Sequence, residues 1–269
     1  MTLQTATRTA ATVSDPPGLT PTLPAARFLP CGDTALTVEL GDRVDLAVNA
    51  LVLALAARVR DAAVPGIVEL VPTFRSLTIH YDPLTVVHSE LEARLLPLLS
   101  GLSAAGRTGR LWRIPVCYHD SVAPDLAEVA GRTALAPERV VELHSRAAYR
   151  VYMVGFLPGF PYMGELPREL ALPRRENPRT AVPAGSVAIA TTLTSVYTLE
   201  SPGGWHLVGR TPAPLWDRVR DPPVLLAAGD RVRFQPISLD DYAALASRSA
   251  AGEMRLQPEE APAGAGELP

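Results

Sequence analysis

From Tyr149 to Pro236 the chain reads as short apolar runs, YRVYMVGF, SVAIATT, SVYTLES, GWHLVGR and RVRFQP, divided by glycine and proline. Proline removes a helical hydrogen bond and clashes with the preceding turn, so a long helix cannot persist there. Runs of this length bounded by turn signals are strands, and several in succession build a barrel or a sandwich. Two of the dividers are dense: GFLPGFPYMGELP from Gly155 and SPGGWHLVGRTP from Ser201.

The preceding segment has a different texture. ALTVEL alternates as a strand and ends in a Gly-Asp turn. VDLAVNALVLALAARVRDA carries apolar residues at helical spacing, with Arg58 and Arg60 near the end that favours cations. After Pro65 and Gly66, IVELVP and RSLTIHYDP read as paired strands and HSELEARLLPLLSGL as a second helix. The order β-α-β-β-α, closed by LWRIPV, predicts a ferredoxin-like α+β sandwich over residues 27–104. SGLSAAGRTG, residues 100–109, is the linker. A second, mainly-β domain is expected over 110–248. It opens with RIPVCY, carries two short helices (PDLAEVAGRT and APERVVELHSRAA) and closes with the helix LDDYAALASRSA. Residues 1–26 and 249–269 are compositionally biased and read as flexible tails.

Composition removes several functions. With 47% hydrophobic and 20% charged residues and a net charge of −3, the chain is globular and lacks a footprint for nucleic acid or anionic membrane. All 25 basic residues are arginine, which excludes a Schiff-base lysine. Cys31 and Cys117 form no CxxC spacing, and there is neither a signal-peptide core nor a run of about 18 apolar residues. A cytoplasmic protein is the expectation.

The histidines at 80, 88, 119, 144 and 206 form no HxH or HExxH spacing, so no metal ligands are assigned. His144 precedes the strand that leads into the first Gly/Pro run, which makes it a candidate; the plainer reading is an imidazole at a helix C-terminus. GxSxG, P-loop and GxGxxG motifs are absent. Ser186 lies in a Gly-flanked turn and has no nearby base, so a turn hydroxyl is the plainer reading. Arg174, Arg175 and Arg179 form a basic cluster whose planar forks suit carboxylate or phosphate, and Arg210 joins them if the barrel brings the two loops together. Phe156, Phe160, Tyr162, Tyr197 and Trp205 interleave with the glycines. Physics alone leaves them open as local core or as the lining of a groove.

Taken in order, GFLPGFPYMGELP, PRRENPRTAVPAGSVAIA and SPGGWHLVGRTPAPLWD resemble the family of the 5-oxoprolinase B subunit, also called allophanate hydrolase subunit 1. GDTAL, VPTFRSLTIHYDP, IPVCY, APDLAEVAG and VVELHSRAAYRVYMVGF extend the likeness, which covers about residues 27–245. The resemblance implies an α+β N-terminal domain and a C-terminal cyclophilin-like β-barrel. It also implies a partner, the 5-oxoprolinase C subunit, and, with the A subunit, ATP-dependent opening of 5-oxoproline to glutamate through a phosphorylated lactam. ATP and Mg²⁺ would occupy a composite or partner site. Other branches imply a regulatory module that docks a histidine-kinase helix, or a carboxyltransferase component of urea or amide metabolism served by biotin on another chain.

The candidate catalytic residues are therefore His144, Arg179 and Arg210. The candidate substrate-binding residues are Phe156, Pro158, Gly159, Phe160, Tyr162, Pro183, Gly185, Ser186, Tyr197, Pro202, Gly203, Gly204 and Trp205. The chain departs from the family pattern at Glu165, where a second glycine is usual. It departs again in IATTLTSVY, where Ile-Ala-Gly-x-Gln-Thr-Gly is usual, so that Leu193 replaces glutamine and Ser195 replaces glycine.

Overall fold

The computed structural model describes residues 26–103 and 109–259; the expected tail before Ala26, the middle of the linker and residues 260–269 lie outside the described residues. The first domain consists of β1 (Arg27–Pro30), β2 (Ala35–Glu39), α1 (Leu46–Asp61), β3 (Ile67–Pro72), β4 (Ser76–Tyr81) and α2 (His88–Leu99). Its antiparallel sheet has the order β1-β2-β4-β3. Strand alternation sends Leu36 and Val38 of β2 and Leu77 and Ile79 of β4 to one face, where they meet Leu51, Leu55 and Val59 of α1 and Leu91 and Leu95 of α2. Helix α1 starts where the Asp45 carboxylate accepts the N–H groups of Ala47 and Val48. Near its end, Arg58 donates to the carbonyls of Leu98, Ser100 and Gly101, tying the two helix ends together. One expectation is corrected here: LWRIPV does not close this sheet. β1 takes the edge beside β2, and Leu111–Cys117 belongs to the second domain.

The second domain contains β5 (Leu111–Cys117), α3 (Leu126–Thr133), α4 (Pro137–Arg146), β6 (Tyr149–Val154), β7 (Pro161–Gly164), β8 (Arg179–Val182), β9 (Ser186–Ala190), β10 (Leu193–Val196), β11 (Ser201–Gly203), β12 (His206–Arg210), β13 (Arg231–Ile237) and α5 (Leu239–Ala250). Seven strands close a barrel in the order β10-β7-β6-β13-β5-β12-β9. The seam between β5 and β13 is parallel, from Leu111 opposite Arg231 to Cys117 opposite Ile237. Asp230 sutures its start by accepting from the Arg110 backbone and guanidinium, the Trp112 indole and the Ala227 N–H. Along β9, Val187 and Ile189 enter the main core. Ala188 and Ala190 face a second cluster, which holds Val182 of the separate β8–β11 ribbon.

Asn49 of α1 joins the domains, its amide donating to the carbonyls of Thr73 and Tyr152 at 2.9 and 3.1 Å. Beyond α5 the chain does not run free as expected from residue 249. Met254 is buried in the barrel core, and the Glu259 N–H donates to the Leu111 carbonyl at 2.7 Å. Among the described residues, no helix is long and apolar enough to cross a membrane.

Candidate functional site

The two Gly/Pro runs meet beside the wall formed by β9, β10 and β12. Phe160 is the hub, with ring centroids 5.0 Å from Tyr162, 5.2 Å from Tyr197, 5.6 Å from Phe156 and 6.1 Å from Trp205, all edge-on. Phe160, Tyr197 and Trp205 are buried, Tyr162 is half-buried and Phe156 is 66% exposed. Three of the rings are thus local core, and the other two present a surface. Burial raises the phenol pKa values of Tyr162 and Tyr197, keeping both neutral. Gly203 has no Cβ because one would strike the Tyr197 hydroxyl. The Pro158 carbonyl accepts from the Thr198 hydroxyl at 2.7 Å, Gly159 turns the loop at φ +75°, and Pro202 is exposed on the ribbon. Phe74, from the turn between β3 and β4, extends the ladder at 5.9 Å from Tyr162 and 5.6 Å from Tyr152. Its signal in the sequence is VPTFRS, an aromatic ring in a tight turn.

The arginines do not converge as expected. Arg175 and Arg179 both donate to buried Asp125, at 3.2 and 2.5 Å, and Arg175 also reaches Glu128 at 2.6 Å. That hydrogen bond lowers the Glu128 pKa, with a smaller contribution from the Arg175 charge. The Arg175 N–H donates to the Gly204 carbonyl at 2.8 Å, and His206 is buried against the Pro173 carbonyl at 3.0 Å. Arg179 therefore holds the loop in place through its Nη2, while its buried Nη1 has no hydrogen-bond partner. Arg174 is exposed, lies 6.0 Å over the Trp205 ring, and has no ion-pair partner among the described residues. Arg210 sits at the other end of β12 from His206, about 13 Å away at strand rise, with its Nε donating to the Ala184 carbonyl. Ser186 donates to the Pro183 carbonyl at 2.7 Å, and Gly185 (φ +81°) abuts the Thr211 carbonyl. Pro183, Gly185 and Ser186 thus form a turn bonded to the Tyr197 backbone, the Gly185 N–H donating to the Tyr197 carbonyl at 2.7 Å and the Tyr197 N–H to the Ser186 carbonyl at 2.9 Å.

His144 is sealed in the barrel core. Its Nδ1 lies 2.8 Å from the Tyr118 hydroxyl, its Nε2 2.9 Å from that of Thr194, and its ring stacks on Phe234 at 4.8 Å. Burial lowers its pKa to about 3, which keeps the ring neutral, and the arrangement is that of a core imidazole in the last turn of α4. In the unfolded chain the same group titrates near about pH 6.5. Between these values the unfolded state binds the extra proton, so this contribution is complete above about pH 6.5 and is lost as pH falls toward 3. Urea titrations at pH 6.5 and 4.5 are expected to show wild type losing about 2 kcal/mol more than His144→Gln over this range. Equal losses would refute the assignment.

The departures from the family pattern have physical consequences. Glu165 (φ +71°) and Thr191 (φ +55°) occupy left-handed backbone at two places where the pattern has glycine. Glu165→Gly and Thr191→Gly are each expected to raise stability by about 1 kcal/mol, a shift of about 3 °C in thermal midpoint. An unchanged or lowered midpoint would show that neither position stores strain. Ser195 finds a partner for its added hydroxyl in the Pro161 carbonyl at 2.7 Å, and Leu193 packs against the aromatic cluster.

The carboxyltransferase domain family, subdomain C and D, matches residues 26–226. The chain is 40% identical over 232 residues to the 5-oxoprolinase B subunit of Bacillus subtilis, covering 81% of this chain and 95% of the relative. It is 43% identical over 212 residues to the protein of that name from Escherichia coli O157:H7, covering 78% and 96%. The chain belongs to the carboxyltransferase subdomain C and D family, with 5-oxoprolinase B subunits among its relatives. The solved structure of TTHA0988 is 41% identical with a TM-score of 0.68 over 76% of this chain, which spans 40% of the TTHA0988 chain. The Kluyveromyces lactis urea amidolyase shares the fold, with a TM-score of 0.73 at 22% identity over 88% of this chain and 16% of that one.

Proposed function

We propose that this chain acts as the B subunit of an ATP-dependent 5-oxoprolinase, working beside a C-subunit partner and with the A subunit. The observation that carries the reading is 40–43% identity running through 95–96% of two curated relatives of that name. The site supports it with a different residue set from the one expected. Phe156, Tyr162 and Leu193 form an apolar face for a small ring. Arg174 lies at its edge with a guanidinium that no carboxylate neutralises among the described residues, suited to a carboxylate or to a developing phosphoryl charge. Arg175 and Arg179 hold the loop that presents it.

Among the described residues, no three His, Cys, Asp or Glu side chains come together to hold a metal ion. Mg²⁺ that arrives with ATP is held by one or two carboxylates together with the substrate phosphates, and in this reading ATP with Mg²⁺ occupies a composite or partner site. The test is to copurify the chain with its C-subunit and A-subunit counterparts and to follow phosphate release with and without 5-oxoproline. Phosphate release that depends on 5-oxoproline is expected only from the full set. A complex that assembles but never hydrolyses ATP in response to 5-oxoproline overturns the reading.

A further inference from the structure

A cavity of about 650 Å³ lies between the two domains, away from the aromatic face. This volume falls within the range of small-molecule sites, about 300–1,000 Å³. One wall is α1, where Ala50, Ala54 and Ala57 leave a low apolar floor; the other is the barrel edge at Arg150 and Gly229.

Four arginines line the cavity against one carboxylate, Asp230. Two of them are engaged: Arg58 with the carbonyls after α2, and Arg110 with Asp230 at 2.9 Å. Arg60 and Arg150 have no acceptor among the described residues, and the Arg150 Nε is buried without a hydrogen-bond partner. A buried guanidinium nitrogen without an acceptor carries a desolvation cost that native structures rarely leave uncompensated. An oxyanion would relieve it, because the planar fork of arginine matches phosphate and carboxylate geometry.

We propose that this cavity binds a small molecule bearing a phosphate or carboxylate group on a compact apolar body. Arg150 takes the oxyanion, Arg60 adds positive charge, and the alanines of α1 receive the apolar part. The site is separate from the aromatic face and does not depend on the 5-oxoprolinase reading.

Calorimetric titration of the full chain, without its partners, tests this with ATP, inorganic phosphate and 5-oxoproline as separate probes. At least one is expected to bind with a Kd below about 1 mM. Arg150→Gln should weaken it about tenfold, and Ala57→Phe, which fills the floor, should abolish it while leaving the thermal midpoint in place. ATP alone would identify a nucleotide, phosphate a bare phosphoanion, and 5-oxoproline a carboxylate. If Arg150→Gln does not fold, Ala57→Phe decides alone. The proposal is overturned if no probe binds at about 10 mM, or if binding is the same in wild type and in every variant that folds.

Discussion

Asp125→Ala is expected to destabilise the protein by about 3 kcal/mol in urea unfolding. The Asp125 side chain is 3% exposed; one oxygen receives Arg175 and Arg179, and the other accepts the Leu207 N–H at 2.6 Å. Its own N–H donates back to the Leu207 carbonyl at 3.0 Å, so this residue fastens the start of α3 to β12. Removal leaves a buried N–H and the Arg179 guanidinium without acceptors, while Arg175 keeps Glu128. The value sits at the low end for a broken buried pair because both arginine side chains remain about a quarter exposed, at 24% and 26%. Asp125→Asn retains an acceptor for Leu207 and should fall between. A loss below about 1 kcal/mol for alanine would show that solvent already satisfies these groups.

Phe156→Gly should separate stability from activity. Phe156 holds φ +69° with its ring 66% exposed, a conformation that glycine adopts without strain. The variant is expected to gain about 1 kcal/mol in stability. Under the proposed role, in which the exposed ring positions 5-oxoproline, turnover by the reconstituted complex should fall about 100-fold. If Phe156 merely covers Phe160, stability and turnover will fall together; if turnover is unchanged, the ring does not face substrate.

The helices and the longer strands are legible in the sequence because their periodicities are clean, as in the alternation of β4 and the i, i+4 spacing of α1, whereas the short strands β1, β8 and β11 carry too few residues to show one. Pairing across long separations is not. The LWRIPV strand has the same local pattern whichever sheet it joins, and only its parallel partner β13 places it in the barrel. The strand β7 is hidden within GFPYMG, where glycine and proline signal turns. At the site, the aromatic residues are recognisable by type, but which are core and which are surface depends on the ribbon that covers them. Asp125 escapes notice because a lone carboxylate in APDLAEVAG has no local signature. Its two arginines arrive from about 50 residues downstream. The surroundings of His144 are hidden for the same reason: Tyr118, Thr194 and Phe234 are distant in sequence.

The parallel seam also orders the assembly of the chain in time. Arg110 and Asp230, whose contact starts the seam, are 120 positions apart, whereas every strand of the first sheet pairs within a span that ends at Tyr81. During synthesis the first domain can therefore finish while the barrel is still an open sheet with an unpaired β5 edge. Loop-closure entropy makes such a late, long-range pairing slow. The interval before β13 emerges is when this protein is most exposed to aggregation, and when a chaperone would have most to protect.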